Sequence, residues 1–503
     1  MRKLSIFIAL VAFALTMAGC YKVSPHGYKE LAPITLNAAS DTINVNLGTE
    51  LVYTGLDIAS SKDFTCEWAY GKPKDGTQIS DHKFDTMEVI SESRTIDYKF
   101  SKVGSFILRL KVDNGESIKF KYFTLNVNSG YDEGVAILSN DSEGNGSLAF
   151  VKTLTQEDIV KGEQQVFSNI FSVEGMTLKN GTGMYIGHNS YKGTVYSGLV
   201  IATNDENGTI YHMDCKTLEL FMTVKMSSYG THCVEFGGEY AEDKASFGCF
   251  FRSADNRVFR YDLNGGFINE MTDVPYRVDR IISAVNKGTS ETAKTVRVPY
   301  FFNADQIGMR KTSSAGVKTM SEDGWEVVNV GVARSSGTNM ICVLFRNKTD
   351  KTSYMIKQGN LSWTYWGTTK DENNNTIDIE HKFTSSDLKM DRNSKIIGTL
   401  SSSDVYYTYD NAIYRWNLTS APGIRPAINV PSGEIIRDIA TNHMGRNAHT
   451  GENLLYVATY NPSRSGEHKG SLYVFRFSDD TMVAKYEGIC DDPASVIYKY
   501  RIN

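Results

Sequence analysis

Several polar segments of this 503-residue sequence place a basic side chain close to an aromatic one. A cation held beside an aromatic ring can pair with an anionic ligand and can stack against flat groups of that ligand. For a single arginine the competing interpretation is an ordinary surface ion pair. Our candidate ligand-binding residues are Tyr229, His232, Tyr276, Arg277, Arg280, Arg334, Trp363, Trp366, Lys382 and Arg437.

Residues that could carry out catalysis are sparse. His443 and His449, with Arg446 between them, form the densest histidine cluster, which we interpret as a polar loop because a metal site would need further ligands from elsewhere. The sequence has no His-Glu-x-x-His, Gly-x-Ser-x-Gly or Walker motif. We therefore expect a protein that is not an enzyme and has no cofactor or metal of its own. A hydrolase or lyase that uses two carboxylates from separate segments is the alternative.

The overall charge argues against one class of partner. The chain has 53 basic and 58 acidic side chains, for a formal charge of −5. Proteins that neutralise nucleic-acid phosphates are normally basic. We expect no nucleic-acid partner.

The N-terminus has the pattern of an exported, lipid-anchored protein. Arg2 and Lys3 precede an apolar run over residues 4–17, which is too short for a bilayer span of about 20 residues. The run ends at Met17-Ala18-Gly19-Cys20, which resembles a bacterial lipoprotein signal. That resemblance implies that residues 1–19 are removed, that Cys20 is lipidated, and that residues 20–30 form a tether. The chain is then anchored to a membrane by lipid.

The other six cysteines have no paired spacing, so we interpret them as buried apolar thiols, with one disulfide between Cys233 and Cys249 left open.

Residues 31–128 predict an antiparallel β-sandwich of about seven strands. Phe106, Leu108, Leu110 and Val112 alternate with polar residues, and Asp113-Asn114-Gly115 supplies a hairpin turn. The segment 98–112 resembles the signature of PKD-type immunoglobulin-like domains, and Trp68 sits where such domains bury a tryptophan. The resemblance implies a spacer rather than a ligand-binding domain.

Residues 131–503 repeat one pattern of β runs, each with a central aromatic residue. The aromatic residues at 211, 259, 354, 414 and 473 are separated by 48, 95, 60 and 59 positions. Blades of four strands take about 40–50 residues, and 95 is about two blades. The repeats therefore predict an all-β chain that ends in a β-propeller of about seven blades. Ligands of propellers sit at the ends of the central channel, so we place the candidate residues in loops that lead into the innermost strands.

Residues 130–151, which begin Gly130-Tyr131-Asp132-Glu133-Gly134, resemble the start of the propeller in PKD-like family lipoproteins. In that family a lipidated N-terminus, one PKD-like domain and a propeller follow in this order. The resemblance implies an outer-membrane lipoprotein, exposed at the cell surface, that works beside a TonB-dependent transporter. A similar layout occurs in surface lipoproteins that capture ferric catecholate siderophores.

Two ligand classes would use the candidate residues differently. A ferric tris-catecholate is aromatic and trianionic, so converging arginines and ring faces suit it. A neutral glycan gains little from clustered cations. Arg277, Arg280 and Arg437 favour a ferric siderophore, in which Fe³⁺ belongs to the ligand. A glycan- or peptide-binding accessory of a polysaccharide-uptake system is the alternative.

Overall fold

A computed structural model describes residues 31–499 apart from short gaps, the longest of which are 172–177, 240–247, 287–295, 311–315, 360–365 and 443–452. The predicted signal, Cys20, the tether and the His443–His449 cluster lie outside the described residues. The chain divides into two compact units, Met1–Asn128 and Ser129–Asn503.

The first unit has nine described strands. They are β1 (Ile34–Ala38), β2 (Thr42–Asn46), β3 (Glu50–Tyr53), β4 (Leu56–Ser60), β5 (Thr65–Gly71), β6 (Glu88–Ser91), β7 (Ile96–Lys99), β8 (Gly104–Asp113) and β9 (Ile118–Asn128), with a 3-10 turn at Ile79–Asp81. Five strands form the main sheet in the order β2-β9-β8-β5-β6, and β1-β4 and β3-β7 are separate pairs. The prediction of a wholly antiparallel unit is wrong at one place, because β2 pairs with β9 in parallel. Such a pair needs a long connection, and here that connection is most of the unit.

The core of the first unit follows the predicted alternation. Phe106, Leu108, Leu110 and Val112 of β8 are buried. Trp68 is fully buried as predicted, and its indole N–H donates a 3.2 Å hydrogen bond to the carbonyl oxygen of Ser93. On the other face of β8, Arg109 is half-buried and pairs with Glu67 at 2.6 Å. The apolar period of two therefore places Phe106, Leu108, Leu110 and Val112 in the core on one face of this strand, while Ile107 is buried on the other face.

The second unit contains seven sheets of at least four strands in the part of the chain that is described. Blade 1 has β10 (Gly134–Asn140), β11 (Asn145–Lys152), β12 (Val166–Phe167), the short β13 (Leu178–Lys179), the helix α1 (Gln156–Lys161), and β40 (Asp492–Lys499). Blade 2 has β14 (Gly181–Tyr191), β15 (Thr194–Thr203), β16 (Thr209–Asp214) and β17 (Leu220–Lys225), followed by a 3-10 turn at Met226–Tyr229. Blade 3 has β18 (Cys233–Glu239), β19 (Gly248–Ser253), β20 (Val258–Asp262) and β21 (Ile268–Glu270). Blade 4 has β22 (Arg280–Asn286), β23 (Val296–Phe302), β24 (Ile307–Met309) and β25 (Lys318–Met320).

The remaining blades follow the same order. Blade 5 has β26 (Trp325–Ser335), β27 (Thr338–Asn347), β28 (Ser353–Gly359) and β31 (Glu380–Thr384), with an inserted hairpin of β29 (Thr368–Lys370) and β30 (Thr376–Asp378). Blade 6 has β32 (Ile396–Gly398), β33 (Asp404–Tyr409), β34 (Ala412–Asn417) and β35 (Pro426–Asn429). Blade 7 has β36 (Ile435–Thr441), β37 (Leu454–Tyr460), β38 (Gly470–Arg476) and β39 (Met482–Cys490).

Strand β40 closes the ring, because the last described strand pairs antiparallel with β10 in the first blade. Hydrophobic clusters join every pair of neighbouring blades, including blade 7 with blade 1. A four-stranded sheet cannot bury both faces alone, so closure gives each face a partner. The second unit is therefore a β-propeller, and the fold prediction is confirmed.

The repeating aromatic residues belong to the same strand of each blade. Tyr211, Phe259, Tyr354, Tyr414 and Tyr473 all lie in the third strand from the centre and are all buried. The double interval of 95 positions spans blade 4, whose third strand is the short β24. The six cysteines are buried thiols, and Cys233 and Cys249 form no disulfide.

Candidate functional site

The axis of the propeller contains a cavity of about 480 Å³. Residues from the innermost strands of all seven blades line it, so it is the central channel. Small-molecule sites typically have volumes of about 300–1,000 Å³. The channel is therefore large enough for a small ligand.

One carboxylate holds two arginines on the channel wall. Glu235 of β18 pairs with Arg280 of β22 at 2.7 Å and with Arg252 of β19 at 3.2 Å. All three side chains are largely buried, at 12–20% exposure. Because two guanidinium groups share one carboxylate, this cluster has one positive charge in excess.

A second ion pair faces the same cavity from blades 6 and 7. Lys395, directly before β32, lies 3.6 Å from Asp438 of β36. The Asp438 carboxylate also accepts a 2.9 Å hydrogen bond from the backbone N–H of Val496 in β40. Asp438 is therefore fixed in place, while Lys395 is the more exposed partner.

A second pocket of about 380 Å³ adjoins the channel and shares Arg252 and Asn393 with it. Arg346 and Arg392 complete its basic lining, and Asp279 and Asp391 are its acidic residues. We call this second pocket the mouth pocket. It lies where the innermost strands begin, since Arg346 pairs in register with Glu326, the second residue of β26.

Glu326 anchors the basic side of the mouth pocket. Its Oε1 accepts 2.8 Å hydrogen bonds from Arg346 Nε and Lys351 Nζ. Burial by itself would raise the pKa of Glu326, but the hydrogen bonds from Lys351 and Arg346 outweigh it and the pKa is lowered. The carboxylate therefore stays ionised and holds the cations at neutral pH.

The loop before β32 is fixed by a buried amide. The Asn329 side chain, 1% exposed, donates to the carbonyl oxygens of Asp391 at 2.8 Å and Ser394 at 3.1 Å. This contact positions Arg392, whose Nη1 donates to the carbonyl oxygen of Val327 at 3.0 Å.

Of the candidate residues predicted from the sequence, Arg280 lines the channel. Arg277 is exposed and lies 3.9 Å from Asp255. The Tyr276 hydroxyl donates a 2.6 Å hydrogen bond to the carbonyl oxygen of Phe301, so this ring is part of the packing between blades 3 and 4. Arg437 is exposed and pairs with Asp492 through two hydrogen bonds at 2.7 and 2.8 Å.

Tyr229 and His232 lie just before β18, as predicted for a loop that leads into an innermost strand. Neither lines the described cavities. Tyr229 is exposed, whereas His232 is half-buried against Gly208.

The predicted placement of two other residues is wrong. Lys382 lies in β31, the outermost strand of blade 5, where it pairs with Glu380 at 2.7 Å. Arg334 is the next-to-last residue of β26, at the opposite end of that strand from Glu326. The structure does not describe its side chain. The inserted β29–β30 hairpin precedes Lys382 and lengthens the connection to β31. Trp363 lies outside the described residues, and Trp366 is half-buried against the core between blades 4 and 5, with its indole N–H 3.4 Å from Glu322.

A sequence pattern could have identified one of the residues that line the cavities but are not among our candidate residues. Three innermost strands have a charged residue followed by two isoleucines at their start. The charged residue is the first of the strand in Arg280-Ile281-Ile282 and directly precedes it in Lys395-Ile396-Ile397 and Glu434-Ile435-Ile436. This repeat identifies Lys395 as the equivalent of Arg280. Arg252, Arg346 and Arg392 have no such pattern, because neighbouring strands and blades bring them to the mouth pocket.

Among the residues that the structure describes, no group of three or more His, Cys, Asp or Glu side chains is arranged to hold a metal ion. None of the described helices has the length and apolar character needed to cross a membrane.

No family model and no curated protein matches this chain. Among solved structures, it is similar to a quinoprotein alcohol dehydrogenase-like protein from Bacteroides thetaiotaomicron, at 13% identity and a TM-score of 0.41 over 92% of this chain and 99% of the other. It is also similar to a DUF4784 family protein from Bacteroides caccae, at 9% identity and a TM-score of 0.31 over 93% and 100% of the two chains. The structure named U3-55K is similar at 9% identity and a TM-score of 0.37 over 63% and 84%.

Proposed function

We propose that this protein is a non-enzymatic surface lipoprotein that captures a small anionic nutrient in the channel of its propeller. The observation that carries the proposal is the position of Arg252, Arg280 and Lys395 on the wall of one cavity. A cavity with walls of low dielectric constant strengthens the attraction between such cations and an acidic ligand.

The nutrient that we favour is a ferric catecholate siderophore. Its charge suits the channel cations, and Phe236 supplies an aromatic ring in the lining. In this proposal the chain is a PKD-like family lipoprotein, Cys20 carries the lipid that holds it at the outer membrane, and a TonB-dependent transporter receives the ligand. The first unit is the spacer between lipid and propeller.

Calorimetry of the full-length protein with a ferric tris-catecholate tests the proposal, and the iron-free catecholate is the comparison ligand. We expect Arg280→Gln and Lys395→Gln each to weaken ferric binding at least about tenfold, the scale of one lost charge-assisted hydrogen bond. Arg277→Gln is the matched control, because Arg277 lies three residues from Arg280 but does not line the channel. Two channel variants are used because Arg280 also stabilises the fold.

The other outcomes separate the competing functions. Absence of ferric catecholate binding would refute siderophore capture. Binding of a neutral glycan that is unaffected by Arg280→Gln would favour an accessory of a polysaccharide-uptake system. Turnover of a carbohydrate would favour a hydrolase or lyase.

A further inference from the structure

The three arginines of the mouth pocket share one arrangement. In each of them Nε is directed at a carboxylate: Arg252 Nε lies 3.2 Å from Glu235, Arg346 Nε lies 2.8 Å from Glu326, and Arg392 Nε lies 3.4 Å from Asp279. A guanidinium group is planar and rigid, so a bond at Nε fixes the direction of the remaining N–H groups. The arrangement therefore orients three side chains toward the space that they line together.

Part of each guanidinium group forms no hydrogen bond with the residues that the structure describes. Arg252 and Arg392 each use Nη1, for Asn256 at 2.7 Å and for the carbonyl oxygen of Val327 at 3.0 Å. Their Nη2 atoms, and both terminal nitrogens of Arg346, form no hydrogen bond with any residue in the described ranges. Such N–H groups are donors suited to the oxygens of a carboxylate or phosphate.

The acidic residues of the pocket do not compete for these donors. Asp391 Oδ1 accepts hydrogen bonds from the backbone N–H groups of Asn393 at 2.8 Å and Ser394 at 2.9 Å, so it stabilises its own loop. Asp279 is the partner of Arg392. The pocket thus combines oriented donors with carboxylates that already have partners.

We infer that the mouth pocket is a binding site for oxyanions, and that it recognises the carboxylate or phosphate groups of a small ligand through Arg252, Arg346 and Arg392. Such groups match the geometry of the guanidinium fork, which accounts for recognition by arginine rather than by lysine. The inference rests on the proposed capture function, since the mouth pocket opens onto the same channel. It adds that the acidic groups of the ligand bind in the mouth pocket.

Titration of the full-length protein with citrate and, separately, with inorganic phosphate tests the inference. We expect binding of at least one of them, weakened about tenfold or more by Arg346→Gln. Arg346→Lys should recover only part of the affinity, because lysine restores the charge but not the fork. The matched control is Arg476→Gln, since Arg476 also pairs with a carboxylate, Asp479 at 3.2 Å, and is similarly exposed. Arg346 is the test residue because Lys351 still pairs with Glu326 when Arg346 is replaced.

The inference is overturned if neither anion binds the wild-type protein, or if Arg346→Gln binds both as tightly as the wild type does. It is also overturned if Arg346→Lys binds as tightly as the wild type, since charge alone would then suffice. Comparison of the affinities for citrate and for phosphate identifies the preferred oxyanion. Failure of ferric catecholate binding alongside Arg346-dependent citrate binding would refute siderophore capture and leave the oxyanion site standing.

Discussion

Arg280 Nη1 donates a 2.8 Å hydrogen bond to the backbone carbonyl oxygen of Arg392, a residue 112 positions later in the chain. The bond joins the innermost strand of blade 4 to the loop before blade 6. Arg280 lines the channel and Arg392 lines the mouth pocket, so this hydrogen bond links the walls of the two cavities. Arg280 thus both holds the loop before blade 6 and lines the channel.

Glu235→Gln should destabilise the propeller. The substitution removes the carboxylate that Arg252 and Arg280 share, and leaves two cations close together without a counter-charge. Hydrogen bonds to charged groups contribute about 1.5–3 kcal/mol, and an amide still accepts one of them. We expect the free energy of unfolding, measured in urea, to fall by about 2 kcal/mol.

Glu206→Gln is the control for this change, since Glu206 is exposed in the turn before β16. Equal stability of Glu235→Gln and the wild type would show that the shared carboxylate does not stabilise the fold.

Cys20→Ser should release the protein from the membrane. The predicted lipid is attached to the thiol of Cys20, and stable anchoring depends on that lipid. Fractionation of cells should find the variant in the soluble fraction and the wild type in the membrane fraction. Cys66→Ser serves as the control because Cys66 is a buried core thiol. Retention of Cys20→Ser in the membrane fraction would refute lipidation at this residue.

The architecture of the propeller was predictable because most of the blades repeat one local pattern. A buried aromatic residue in the third strand marks the blade, as at Tyr414 and Tyr473, and a signal of this kind survives changes in loop length. Blade 4 has no such aromatic residue, and its third strand has only three residues. The interval of 95 positions between Phe259 and Tyr354 nevertheless indicated that a blade lies there. The parallel pairing of β2 with β9 was not predictable, since no local pattern encodes a partner about 80 positions away.

The candidate site was predictable only where local sequence determines it. Arg280 begins an innermost strand, and the following isoleucines mark that position. Arg252 and Arg346 reach the mouth pocket through cross-strand register, which the turn lengths set. Lys382 was misplaced because the inserted hairpin lengthens blade 5.

Gly398→Ala should destabilise the ring where blades 5 and 6 meet. A Cβ at this position would lie 1.6 Å from the backbone carbonyl oxygen of Val332, so one innermost strand must move. Overpacking of this kind costs about 1–3 kcal/mol or more. We expect a loss of about 3 kcal/mol in urea unfolding. Gly316→Ala is the control, because its added Cβ has no described residue within 4 Å other than its own chain neighbours. An equal effect of the two substitutions would contradict close contact at Gly398.

His212 should make the propeller less stable in mild acid. Its side chain is 4% exposed, and its Nδ1 lies 3.3 Å from the hydroxyl of Tyr261. Burial lowers the pKa of His212 from 6.5 to about 4, although Asp214 opposes the shift. Between those two values the unfolded chain binds a proton that the folded chain does not bind. Stability is therefore lost as the pH falls from about 6.5 towards 4.

The shift corresponds to a loss of up to about 3 kcal/mol over that range. Urea unfolding of the wild type and of His212→Gln at several pH values isolates the contribution of His212, because the two proteins differ only at this residue. We expect the variant to be less stable near pH 7 and to lose less stability on acidification. His381→Gln is the control, since it also removes a histidine, but one that is exposed on β31. Parallel pH profiles for the wild type and His212→Gln would show that His212 is protonated equally in the folded and unfolded chains.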